Sequence, residues 1–362
     1  MARVKSAPRQ STAADEGTAA ESTTTTAAGK EVTMRPTSTI SSTTTLSRRP
    51  GGPTSKLPRA LHFPLVVVLS MALSALGYST VNQWTRGEMA AVARTLEGNW
   101  EVSVLAGWRV LELALGWFAN FDSYDLAALS ILSRGPSLYL LSAFYGIQPQ
   151  TAGACLAVDA ISNFLPFLLL RPLSGAHAAS PSLPNRELVV DKTIQAYTTL
   201  LAGAVYCVTL STAYMAFLPR ILVVYFNDIP TIEPAYSATS FLFVSLPTVG
   251  LCLLFGLAAR TFIFAPTATT GHVPSDDRIA EFDPASATLG ETLWWNFLGY
   301  TAQTKVAAFR TAVLMFIAGV NTYLQCSLTV RGVEPYGAAV YASVWVLAAF
   351  LTGVGLGVVG TD

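Results

Sequence analysis

Residues 107–171 read GWRVLELALGWFANFDSYDLAALSILSRGPSLYLLSAFYGIQPQTAGACLAVDAISNFLPFLLLR. The segment is mostly apolar, yet Arg109, Glu112, Arg134 and Asp159 interrupt it far from any polar flank. A charge near the centre of a bilayer costs roughly 2.5–3.5 kcal/mol even on the most lenient scale. A sequence that keeps four such charges in three consecutive apolar runs is expected to turn them toward one another or toward water.

The spacing predicts helices over 102–120, 124–147 and 151–170. The polar corner Asn120–Asp125 joins the first two, and Gln148-Pro149-Gln150 joins the last two. Counted from Asp122, Glu112 lies ten residues back and Arg134 twelve residues on. At about 1.5 Å per residue the two sit within roughly 3 Å of the same depth, which makes Glu112–Arg134 the expected ion pair. Arg109 and Glu112 are three apart and share a helix face. Asp159, Ser162, Asn163 and Pro166 follow the i, i+3, i+4, i+7 pattern and form one polar stripe on the third helix. Arg109, Glu112, Arg134, Asp159 and Asn163 are therefore the candidate intramembrane polar cluster. Gly135-Pro136 follows Arg134 directly, and a proline inside a helix predicts a kink. Two readings of the cluster stay open. It is a structural knot of neutralised charges, or it lines a solute path of the kind transporters build at broken helices near the midplane.

The rest of the chain fits a membrane protein. The 362 residues are 52% hydrophobic and 12% charged, with a mean hydropathy of +0.46. The usual charged share is about 25%, and a soluble chain of this length could not hide so much apolar surface. Further spans are expected at 61–81, 194–218, 238–262, 305–328 and 337–359, about eight in all, each near the 20 residues that cross the hydrocarbon core. The fold class is thus an all-α polytopic transmembrane bundle, residues 61–362, behind a tail of residues 1–60. That tail contains no Phe, Tyr or Trp and carries the runs STTTT and SSTTT. It cannot bury enough apolar area to offset the entropy of ordering it, so it is expected to be disordered and low in complexity.

Basic residues favour the cytoplasmic side. They crowd the tail and recur at Arg171, Arg186, Lys192, Arg260, Arg278 and Lys305; the opposite loops hold Arg86, Arg94, Arg220 and Arg331. The N-terminus is expected in the cytoplasm, with no assignment of which membrane. Arg310 lies close to a span boundary, where snorkelling and burial compete. Gln303, Arg310, Asn321 and Gln325 share one face of the seventh span. Leu289–Gln303, with Trp294 and Trp295, is expected to lie at the interface. In the last span Ala349, Gly353 and Gly357 form the small-xxx-small pattern that lets helices approach closely.

Motifs of chemistry are missing. His62, His177 and His272 lack a second ligand at helical spacing, the four cysteines lie in separate apolar runs, and no HExxH, P-loop, GxSxG or dinucleotide fingerprint occurs. The sequence predicts no cofactor, no metal site and no catalytic residue, and a net charge of zero gives nucleic acid no foothold. The expected partners are the lipid bilayer and a small solute or ion, with unspecified partners for the tail. The functional expectation is a transporter or channel that uses its intramembrane charges. The alternatives are a non-catalytic scaffold or receptor-like protein with structural charges, and, with no motif behind it, an enzyme acting on lipid.

Overall fold

The computed structural model describes residues 58–360 apart from 97, 179, 182, 234–245 and 285. The expected disordered tail, up to residue 57, lies outside the described residues, as does the 238–245 part of the sixth expected span. Eight long helices make up the body: α1 Arg59–Trp84, α2 Asn99–Phe118, α3 Ser123–Phe144, α4 Pro149–Leu170, α5 Lys192–Ala216, α6 from Leu246 to Ala268, α7 Ala302–Leu324 and α8 Pro335–Gly360. Every one overlaps an apolar run of the sequence.

Contacts at the helix ends fix how they run. At one end, here called proximal, the Phe63 ring of α1 meets Trp117 and Phe118 at the close of α2. There too Arg310, in the early turns of α7, reaches Asp125 at the start of α3, and Gly360 packs near Phe264 and Thr267 of α6. At the distal end the segment Val330–Glu334 between α7 and α8 is pinned on both sides. Ala93 and Phe226 form isolated antiparallel bridges to Val330 and Val333, and Asn227 donates its amide to the Gly332 carbonyl at 2.8 Å. Gly332 turns here at φ +73°, where a Cβ would strike Asp228. The helices therefore alternate in direction, and Arg59 and Gly360 share the proximal end.

Seven of these helices are long and apolar enough to cross a membrane, which makes the chain an integral, multi-pass membrane protein. The eighth, α2, has 20 residues but carries Glu101, Arg109 and Glu112. It still runs between the same two ends. All three of its charges are buried, while Trp100, Val102, Val104, Leu111 and Phe118 face outward. Such a helix presents apolar side chains to lipid and polar ones to its neighbours, which is how charges are tolerated in a span.

In lipid no hydrophobic drive holds apolar helices together, so close backbone approach and hydrogen bonds must do it. A Cβ at Gly256 of α6 would run into the Thr199 carbonyl oxygen of α5, and one at Gly203 would lie 2.9 Å from the Cys252 carbonyl oxygen. Gly353 of α8 packs on Thr311 of α7 in the same manner, and Gly357 faces Ala307. α3 is the innermost helix, with 72% of its span buried against 11% for α1.

Several expectations change. α6 ends at Ala268, six residues beyond the expected 262, because a π-helical turn at Arg260–Phe264 carries the helix past the arginine. α3 stays helical through Pro136, which a kink at that proline allows. Proline frees the carbonyl four residues back, that of Leu132, and side chains of other helices bond to carbonyls nearby. Asn321 donates to the Ser133 carbonyl at 2.9 Å, and Tyr341 donates to the Pro136 carbonyl at 2.8 Å. The loop expected at 82–100 contains a short helix, Glu88–Val92, and the expected polar segment 265–290 contains another, Pro274–Ala280. The first two residues of α1, Arg59 and Ala60, belong to a helix rather than to the tail. Leu289–Leu298 is a separate helix, capped by Thr288 and Glu291, that stops at Gly299 before α7 begins.

Candidate functional site

The mid-depth charges converge from three helices. On α2, Arg109 and Glu112 occupy successive turns, and the Glu112 Oε2 lies 3.6 Å from Arg109 Nη1 and 3.2 Å from Arg134 Nη2. Trp108 donates its indole N–H to the Glu112 Oε1 at 3.0 Å. One carboxylate thus serves two arginines. Arg109 turns its Nη2 to the Ser162 hydroxyl on α4 at 2.8 Å. Asp159, one turn earlier on α4, accepts from the Tyr78 hydroxyl of α1 at 2.7 Å. Asn163 bridges α1 and α3, accepting from Ser70 at 3.2 Å and donating to Ser130 at 2.5 Å. The polar stripe Asp159, Ser162, Asn163 is buried throughout. All five residues singled out in the sequence lie in this region, although Asn163 sits a turn closer to the proximal end and its side chain bonds to Ser70 and Ser130 rather than to the other four.

What the helices enclose could not be read from spacing. A cavity of 370 Å³ opens at the distal end, beside the exposed Ala90 and Ala93, and is lined down to Arg134, Ser137 and Asp159. Its walls are Met89 and Val92 of the short helix, Leu105, Leu138 and Leu141 of α2 and α3, and Gln325, Thr329 and Val330 after α7. A π-helical turn at Gln325–Thr329 ends α7 and gives this wall its shape. The lining contains one cation, Arg134, and one anion, Asp159. The buried Arg134 Nε has no hydrogen-bond partner. A wider groove of 410 Å³ lies between α3, α4 and α6, but no charged side chain lines it.

A second charged cluster sits at the proximal end, and the sequence reading missed it. Arg310 is buried rather than snorkelling. It grips Asp125 with two nitrogens, at 2.6 and 3.1 Å, donates to the Phe262 carbonyl at 2.7 Å and lies over the Phe121 and Phe262 rings. Asp122 and Asp125 cap α3 reciprocally. His177, from the loop after α4, brings its Nδ1 to 2.7 Å from the Asp122 Oδ2, which also accepts from the Ser174 amide. Burial works against ionising Asp122, but hydrogen bonds from His177, Ser174 and the Asp125 amide outweigh it and hold the carboxyl well below the usual carboxylate range. Burial likewise works against the His177 cation, and the bond to Asp122 with the charges of Asp125 and Asp122 raises its pKa.

Ligand atoms of Asp122, Asp125 and His177 lie within 4.8 Å of one another, the spacing a metal would need. The carboxylate oxygens are already engaged, however. Asp125 spends both on Arg310, and Asp122 spends one on the Asp125 amide and the other on Ser174 and His177. With Arg310 supplying the neutralising charge, this chemistry is that of a latch between α3, α7 and the loop after α4. Sequence gave little sign of it, since the ends of the Asp125–Arg310 pair are 185 residues apart.

No protein-family model matches this chain, and neither a curated protein nor a solved structure matches it.

Proposed function

We propose that this protein carries a small solute across the membrane in which it sits, with the distal cavity as its entry site. The observation that carries the reading is the cavity itself, open beside Ala90 and Ala93 and ending near mid-depth on Arg134 and Asp159. Charges inside a membrane usually pair off in a dry interior or line a path. Here one cation and one anion face a space large enough for a solute, since small-molecule sites run from about 300 to 1,000 Å³. Its deepest lining residues are Arg134, Ser137 and Asp159. Beyond its floor Ser162, Asn163, Ser130 and Ser70 continue as hydrogen-bonded side chains toward the proximal end. A site that ends on such a floor belongs to a transporter that alternates its access rather than to an open pore.

The proximal end faces the cytoplasm in this reading, because the basic residues gather there. Single cysteines placed in a cysteine-free background at Glu233 and at Asp277 then label from outside and inside respectively; labelling of both from one side breaks the topology. The transport reading is tested with purified protein in liposomes, offered a mixture of small metabolites and read by mass spectrometry. At least one solute enters faster than into protein-free liposomes. Ala93→Trp, at the exposed mouth, lowers that rate by tenfold or more while leaving the melting temperature in detergent within a few degrees. Uptake no faster than in empty liposomes overturns the reading.

A further inference from the structure

We infer that the cavity selects a zwitterion with an apolar portion, a molecule of amino-acid chemistry that offers an anionic group to Arg134 and an ammonium group to Asp159. The inference rests on the transport reading only for its site, not for its chemistry.

Three observations carry it. The lining holds a single cation and a single anion, so a solute bearing both charges meets each with its opposite. Each has capacity to spare. Arg134 gives Nη2 to Glu112, a carboxylate already shared with Arg109, and its Nε has no partner. Asp159 accepts one hydrogen bond, from Tyr78, and pairs with no cationic side chain among the described residues. The third observation is the wall. Met89, Val92, Leu105, Leu138, Leu141 and Val330 give the remainder of the solute a mostly apolar surface, interrupted by the uncharged Tyr78, Ser137, Gln325 and Thr329. Apolar walls with few polar groups that fix orientation are the usual make-up of a small-molecule site. A guanidinium nitrogen donates well to a carboxylate or phosphate oxygen, and a carboxylate freed of cationic partners is the natural acceptor for an ammonium.

The same pair of charges occurs on a free amino acid and on the ethanolamine headgroup of a phospholipid, and the test separates them. Purified protein in detergent is titrated with labelled leucine, then with two competitors that each lack one charge, 4-methylpentanoate and 3-methylbutylamine, and with glycerophosphoethanolamine. Leucine is expected to bind, each singly charged analogue at least tenfold more weakly. Displacement by glycerophosphoethanolamine at lower concentration than unlabelled leucine assigns the headgroup as the source of the zwitterion. An analogue that binds as tightly as leucine overturns the inference. So does the absence of binding by leucine and glycerophosphoethanolamine alike. Asp159→Asn keeps an acceptor for Tyr78 and is expected to lose at least tenfold in leucine affinity while leaving 4-methylpentanoate unchanged. Should that variant not fold, Asp159→Glu keeps the charge and is expected to retain the preference for leucine over 4-methylpentanoate; an Asp159→Glu protein that takes both equally overturns the inference. Zwitterion binding without any uptake into liposomes defeats the transport reading alone. Uptake of some other solute without zwitterion binding defeats this inference alone.

Discussion

The two charged clusters of this bundle are built from the same residue types and serve opposite ends. At the proximal end every carboxylate oxygen of Asp122 and Asp125 has a donor, and Arg310 is held by a bidentate carboxylate, a carbonyl and two aromatic faces. At mid-depth one glutamate is divided between two arginines, the Arg134 Nε has no hydrogen-bond partner, and Asp159 accepts from a tyrosine and forms no salt bridge among the described residues. A buried polar network that is fully satisfied rigidifies what it joins, and a partly satisfied one is costly unless something completes it. Among the described residues the second cluster borders a cavity that reaches its charges. On the reading proposed above, the saturated cluster closes the bundle and the unsaturated one meets the solute.

The largest effect that separates them is on stability. Removing one member of a buried pair costs about 3–5 kcal/mol, because the other charge is left uncompensated. Arg310→Met and Asp125→Asn are each expected to lose that much, read as unfolding in mixed micelles, and the double change to recover part of it. Asp159→Asn, at the cavity, is expected to cost about 1 kcal/mol or less, since it strands no cation in direct contact and the cavity admits water. An Asp159→Asn protein as unstable as Asp125→Asn would erase the distinction between latch and site.

Next in size is the coupling inside the mid-depth cluster. Glu112→Gln leaves Arg109 and Arg134 without their shared counter-charge, so it is expected to destabilise more than Arg134→Gln, which leaves Glu112 with Arg109. The double mutant is expected to show an interaction energy of about 1–3 kcal/mol in a thermodynamic cycle. Strictly additive losses would mean that the 3.2 Å contact contributes nothing. If the double mutant folds, its uptake in liposomes sharpens the contrast further, since loss of flux in a stable protein assigns the cluster to the path.

Much of this was open to reading from the chain because lipid simplifies the problem. Every backbone group in the bilayer must be satisfied within its own segment, so apolar runs of the right length become helices, and matched counting from a tight corner places Glu112 level with Arg134. The same logic failed wherever a partner came from a distant helix. Nothing local to Arg310 marks Asp125 as its partner, and its place near a span boundary made snorkelling look as good as burial. Nothing around Pro136 announces that Asn321 and Tyr341, from α7 and α8, bond to carbonyls beside it. The arginine at 260 reads as a span end, whereas a π-helical turn takes the helix beyond it. The cavity depends on a five-residue helix and a pinned loop that arrive from opposite parts of the sequence, and periodicity within one segment carries no information about either.

The smallest expected effect probes the latch through pH. Asp122 is held below the usual carboxylate range, so its share of stability is present above its unfolded pKa and is lost as pH falls through the folded value. His177 is raised, so its share is full below its ordinary value of about 6.5 and is lost as pH rises through the folded value. The pair is therefore strongest in mildly acidic solution, where both are charged, and weakens toward alkaline pH as His177 gives up its proton. Asp125, Arg310 and Arg171 also bear on this site. The melting temperature of the protein in detergent is expected to fall by a few degrees between pH 5.5 and 8.5, and His177→Gln to flatten the slope. His272, exposed and bonded to Asp277, is raised too by that bond. His272→Gln is therefore the control, and it should leave the slope in place because a solvent-exposed pair is worth little. A slope that survives His177→Gln and disappears with His272→Gln would move the pH sensitivity to the surface and leave the latch at Asp122 resting on its backbone hydrogen bonds.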